Sequence, residues 1–366
     1  MTVSGPKVRD FTDKDRSLDV IVEADPVYEM LMAMFVFQGE SDHSEYEIAQ
    51  EVVAAVEAYG DETLLTDIES IGGCGELGLA LVGIAHALPE PRTAEALADH
   101  LAEVGSIDLR TLLLRNSGIK ASRGHDEATI SRAAKGDIDA VRELFADRRH
   151  GSKMAELLER EPEQMLADVM SVVRRFGEAT AGVVSAQQEV RERDAANTRA
   201  IAKTMNPERL VEKVTNGITF EMQPQVSGVL LIPSVVIRPW VVIAEHYTLR
   251  IFAYSVSDEV LSADDDAPPA FLVDTFKALG DEKRLRLLGV LAEGDLGLKE
   301  LAQRADIAKS TAHHHLRVLR SAGLVRVVIG EDNKRYGLRR DSIPEAGRLL
   351  ESFLAERPAT AKTDEE

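Results

Sequence analysis

One cysteine, Cys74, serves all 366 residues, so the chain can form no internal disulfide and has too few thiols for a cysteine-based zinc site. A reducing compartment, the cytoplasm, is the expectation. Long apolar runs are missing as well. No stretch approaches the roughly 18 uncharged apolar residues of a membrane helix, and Met1 to Arg16 is polar with Asp and Lys interspersed, so no membrane association and no signal peptide are expected. Aromatic residues make up 5% and include a single tryptophan, Trp240. Positive charge is also scarce. Forty-three Lys and Arg stand against 63 Asp and Glu, a net charge of −20, and this would ordinarily exclude a polyanionic partner. With 44% hydrophobic and 29% charged residues the chain is otherwise of globular composition, and its length suggests two or three domains.

The charge deficit is unevenly spread. Residues 1–270 carry 26 Lys and Arg against 47 Asp and Glu, whereas residues 271–351 carry 15 against 12. The acidic run and two prolines of Ser262–Pro269 mark the boundary, because they can neither continue a helix nor enter the middle of a sheet. The organisation read from this is an N-terminal domain (1–261), a linker (262–269), a C-terminal domain (270–356) and a disordered tail (357–366). The fold class expected is α+β, mainly α: a helical N-terminal domain with a small antiparallel sheet, followed by a C-terminal winged helix-turn-helix.

Apolar periodicity upstream predicts helices near 26–38, 44–59, 61–70, 76–88, 92–104, 108–115, 137–148, 152–160 and 163–203. Asp137 and Ser152 are candidate caps, and Gly177 or Gly182 a candidate break in the last helix. Beyond Pro207 the runs 218–222, 228–232, 239–243 and 248–254 are β-prone. Gly73–Gly78 satisfies G-x-G-x-x-G, but no strand precedes it and no βαβ unit follows, so close helix packing is favoured over a dinucleotide site. Trp240 beside Arg238 offers either a stacking site or a structural corner. No elbow serine, phosphate loop or carboxylate pair points to catalysis, so no enzyme activity and no cofactor are expected. The rival readings are an N-terminal enzyme domain tethered to DNA and a protein-interaction scaffold.

The segment 271–340 is the most informative. Phe271, Phe276 and Leu279 line one face of a first helix, and Asp281 caps a second bearing Leu285, Leu288 and Leu291. Lys299–Ala305 forms a third helix, and Asp306–Ala308 turns the chain into a fourth. In that fourth helix Ala312, Leu316 and Leu319 share a buried face. Thr311, His313, His314, Arg317 and Arg320 then point outward. Gly323, expected in the left-handed conformation, ends the helix before Leu324–Ile329, a Gly330–Asn333 turn and Lys334–Leu338.

With its segments Phe276–Leu288, Leu298–Ala302 and Lys309–Val325, this part resembles the ArsR/SmtB family of winged helix-turn-helix transcription regulators. The resemblance implies that Lys309, Ser310, Thr311, His313, His314 and Arg317 face double-stranded DNA at an operator. Arg320 and the wing residues Lys334 and Arg335 would serve phosphates or the minor groove. It also implies a homodimer paired through the first and last helices of this domain, near 269–279 and 342–355, acting as a repressor with an unknown small-molecule effector. His313, His314 and His315 point about 100° apart on a helix and cannot converge on one ion. The segments 295–299 and 344–350, where the family's metal sensors carry ligands, hold no His or Cys, so no metal is expected. His315 is expected to pack inward.

Overall fold

The computed structural model describes residues 18–38, 43, 46–71, 76–116, 127–146, 153–220, 226–261, 270–329, 334–340 and 342–355. Cys74, Ser152, the linker 262–269, the turn 330–333 and the tail 357–366 lie outside the described residues.

Strand β1 (Asp19–Val22) leads into α1 (Pro26–Gln38), α2 (Ala49–Ala58), α3 (Glu62–Ser70), α4 (Glu76–His86), α5 (Ala94–Val104) and α6 (Ser106–Asn116). Then come α7 (Glu127–Ala134), α8 (Ile138–Phe145), α9 (Lys153–Leu158), α10 (Pro162–Ala186), α11 (Gln188–Ala202) and α12 (Pro207–Val214). β2 (Ile218–Phe220), β3 (Gly228–Ser234), β4 (Val242–His246), β5 (Leu249–Ser255) and the one-turn α13 (Asp258–Leu261) follow. The helix starts have local causes. Asp137 accepts from Ala140 N at 3.0 Å, and Glu161 accepts from Gln164 N at 2.9 Å ahead of Pro162 in the first turn of α10.

The expected break at Gly177 or Gly182 falls instead at Gln187. Both glycines sit inside α10. The turn belongs to Arg191, fully buried, which donates to Val184 O (3.2 Å) and Ala24 O (2.9 Å) and so occupies carbonyls at the end of α10 and after β1.

The sheet of the N-terminal part has the order β1-β3-β5-β4. β1, β3 and β5 run parallel and β4 alone is antiparallel, against β5. The expected antiparallel sheet is therefore corrected to a mixed one. Every residue of β3 is buried, as befits a strand covered on both faces. Leu230 and Ile232 join the core built by α1 to α10, while Val229 and Leu231 join a second core with Ala195 of α11 and Leu210 and Val211 of α12. A Cβ on Gly78 of the glycine motif would lie 3.4 Å from Leu31 O, an ordinary contact, so α4 and α1 pack together without requiring glycine there.

The last part contains α14 (Ala270–Leu279), α15 (Glu282–Leu291), β6 (Leu296–Gly297), α16 (Leu298–Arg304), α17 (Lys309–Ser321), β7 (Val325–Ile329), β8 (Lys334–Leu338) and α18 (Ser342–Ala355). Its own core joins Ala278, Leu287, Leu291, Leu301, Leu316, Leu319 and Val327. The second sheet has the order β2-β7-β8-β6. Strand β2 ends at Phe220, 50 positions before Ala270, and pairs in parallel with β7, Ile218 opposite Val327. Asn216, with φ 53°, donates to Ser321 O (3.2 Å) and accepts from Arg339 (2.6 Å). Gly323 adopts the expected left-handed φ of 66°.

Candidate nucleic-acid interface

The reading helix is α17. It is presented by the turn after α16, where Asp306 takes φ 54° and Ile307 N donates back to Ala302 O at 3.0 Å. On its inner face Ala312, Leu316 and Leu319 are buried, as their spacing requires. His315 is buried with them, at 8% exposure. Burial pushes its imidazole below the usual range, against the opposing pull of the Asp281 carboxylate 4.0 Å away. That carboxylate also caps α15, accepting from Arg284 N at 2.9 Å.

On the outer face Lys309, Ser310, His313 and His314 are exposed and Thr311 is half-buried. Ala308, at the N-cap, supplies no side-chain hydrogen bond to the first turn. The groove between α16 and α17 beside this first turn is lined by the exposed Lys299 and Lys309 together with the exposed Asp306, two cations to one anion, and suits an anionic oxygen.

Arg317 and Arg320 take another course. Their guanidinium carbons lie 4.8 and 5.1 Å from the ring centroid of Trp240, in the turn between β3 and β4. Both are half-buried, and burial lowers the pKa of Arg320, with Tyr336 opposing. From the sequence, Trp240 beside Arg238 reads as a stacking or anion site or, with more weight, as a structural corner. Arg238 itself is buried, bonded to Glu47 Oε2 at 2.9 Å and to Val256 O, and two arginines from a helix about 80 residues downstream reach the ring. No local pattern could have announced that.

The wing residues Lys334 and Arg335 are exposed on β8, and Arg335 donates to Asp295 O. Asp295 also binds Arg326 through both oxygens, each at 3.1 Å. Phe276 is 46% and Leu285 49% exposed, alongside Ile343 at 46% and Leu354 at 60% on α18. The core of this part is filled by Leu287, Leu288 and Leu291 without them. The burial of Phe271 lies outside the described residues.

Among the described residues no group of three or more His, Cys, Asp and Glu is placed to hold a metal, and no helix is long and apolar enough to cross a membrane. In the N-terminal part a largely buried polar cluster pairs acids with bases. Glu23 accepts from Tyr28 and contacts His86 and Arg92 at 3.1 Å each, and Arg92 also holds Asp25 at 3.0 Å. Burial pushes Glu23 up, but the hydrogen bonds from His86 and Tyr28 and the charges of His86 and Arg92 outweigh it and leave its pKa lowered.

Residues 279–328 match the family described as Helix-turn-helix domain. A transcriptional repressor SmtB homolog of Synechocystis is 34% identical over 101 residues, 28% of this chain and 74% of the relative. An uncharacterized HTH-type transcriptional regulator of Bacillus subtilis, YceK, is 36% identical over 69 residues, 18% of this chain and 69% of the relative. A cadmium resistance transcriptional regulatory protein CadC homolog of Staphylococcus aureus is 36% identical over 59 residues, 16% of this chain and 49% of the relative. With a reading helix packed over its own core, a paired wing and these relatives, the chain belongs to the ArsR/SmtB family of helix-turn-helix, DNA-binding transcription regulators.

Proposed function

We propose that this chain is a cytoplasmic homodimeric repressor that binds a two-fold operator through α17, and that residues 1–261 sense an unidentified effector rather than carry out catalysis. The observation that carries DNA reading by α17 is its two-sided construction: Lys309, Ser310, His313 and His314 exposed, directly over buried Ala312, Leu316 and Leu319. A helix so presented fits the major groove, with its first turns at base edges and its N-terminus and the wing at phosphates. Support for the dimer comes from Phe276 on α14 and Ile343 and Leu354 on α18, large apolar side chains left exposed on the two helices that pair in this family's resemblance. Half-sites about 34 Å apart follow from such a two-fold arrangement. The closed pairing of Glu23, Tyr28, His86 and Arg92 supports a structural use of those groups over an acid–base one.

The test is fluorescence anisotropy of the full chain on the DNA upstream of its own gene, across a salt series with nonspecific competitor. Tight, salt-sensitive and selective binding is expected. Lys309→Ala should lower affinity on every sequence and reduce the log–log salt slope by about 1, while His314→Ala should cost selectivity. Binding that survives both substitutions unchanged would remove α17 from the interface.

A further inference from the structure

Ser310, His313, Arg317 and Arg320 follow one another at spacings of three, four and three, so they form one outward stripe along α17. The stripe is divided. Its first half is exposed, and its second half lies on Trp240 of the N-terminal domain, with both guanidinium groups within 5.1 Å of the indole centroid. Arginine over indole is an attractive pairing that strengthens as water is excluded.

The turn that offers the ring is held from several sides. Glu29, fully buried, accepts from Val235 N at 2.9 Å and Val236 N at 3.0 Å. Arg238 is tied to Glu47, Ser255 Oγ donates to Trp240 O at 2.8 Å, and Trp240 N donates to Ile237 O at 2.6 Å. Trp240 therefore stands on a braced platform, and the domain behind it is the strongly acidic one. A duplex laid along the whole stripe would meet this turn, and its phosphates would approach a surface of their own sign.

We propose that Trp240 is an autoinhibitory clamp: in the free chain it holds Arg317 and Arg320 against the N-terminal domain, and DNA engages the full face of α17 only when the turn carrying Trp240 withdraws. The inference rests on the reading of α17 as the DNA-binding helix. Strand β2, paired with β7, stays attached to the wing and keeps the two parts joined while the clamp opens.

The chain's single tryptophan makes the contact directly observable. The full-length protein, Trp240→Ala and Trp240→Phe are titrated with a duplex of about 30 base pairs, long enough for two half-sites, and acrylamide quenching of Trp240 is measured with and without DNA. Trp240→Ala should bind about tenfold tighter, equivalent to about 1.4 kcal/mol, with Trp240→Phe between it and the unaltered chain. Saturating DNA should raise acrylamide quenching in the unaltered chain as the arginines leave the ring. Equal or weaker binding by Trp240→Ala, or quenching that DNA leaves unchanged or lowers, overturns the clamp while leaving DNA reading intact. If Trp240→Ala does not fold, the quenching measurement on the unaltered chain decides. Absence of duplex binding by every form at low salt overturns the reading of α17 and the clamp with it.

Discussion

Arg110 shows how much one buried side chain can organise. It is fully buried and, among the described residues, faces no carboxylate within hydrogen-bond reach, yet it donates to Ala133 O (2.9 Å), Ala134 O (2.8 Å), Leu158 O and Arg160 O (3.2 Å). It thus occupies the carbonyl ends of α7 and α9, where helix dipoles favour a cation. Arg110→Met should destabilise by about 3–5 kcal/mol in denaturant unfolding, because several buried carbonyls lose their donor at once. His315 acts through pH. Burial holds its folded-state pKa below the unfolded value, so the unfolded chain takes up the proton first as pH falls. Stability is then full above about pH 6.5 and lost as pH drops below it. His246 shifts the same way, by burial and then the charge of His86. The unfolding midpoint should fall between about pH 7.5 and 5.5, and His315→Gln should flatten part of that slope. An unchanged slope would assign the acid sensitivity to other groups.

Among the elements, α10 separates two kinds of glycine. A Cβ on Gly177 would lie 2.4 Å from Ala94 Cβ, at the start of α5, whereas one on Gly182 would meet nothing within 4 Å. Gly177→Ala should cost about 1–3 kcal/mol by overpacking, and Gly182→Ala should add about 0.5–1 kcal/mol of helix stability. Thermal unfolding of both variants checks the pair, and equal effects would contradict it. To the sequence both looked alike as helix breakers, since a glycine's neighbours across a packed interface leave no local mark. The same limit explains the strands. Gly228–Ser234 carries an unbroken apolar run, the mark of a strand buried on both faces, but its partners β1 and β5 flank it from opposite ends of a long chain segment, and direction follows from that topology. The reading helix was legible nearly to the residue because caps, turn and apolar spacing lie within one stretch of sequence. What covers its second half was not, because Trp240 reaches it through tertiary packing alone.

For the whole molecule, the boundary at 262–269 and the sheet pairing cut the chain differently. β2 lies upstream of that segment and yet forms an edge of the wing's sheet. A fragment beginning at residue 268 would leave β7 with unpaired N–H and C=O groups, and it should unfold at lower temperature than the same helices in the full chain and be more prone to aggregate. Calorimetry of both forms tests this. Oligomeric state belongs to the same scale: Leu354→Glu on α18 should shift the full chain toward monomer in sedimentation velocity, and an unmoved distribution would place the contact elsewhere. The central strand, finally, poses an alignment problem that hydrophobicity cannot solve. Sliding β3 by one residue would exchange its two apolar faces, Val229 and Leu231 for Leu230 and Ile232, and bury as much oil as before. Two polar or steric marks break that near-degeneracy. At one end Gly228 gives the closest fit, since a Cβ there would press Leu249 Cδ2 aside from 2.8 Å and lie a tight 3.3 Å from Asp19 O. At the other, the Glu29 carboxylate receives the amides of residues 235 and 236. The strand is indexed like a ruler with a stop at each end, and the position of the Trp240 turn just beyond the second stop is set by that indexing.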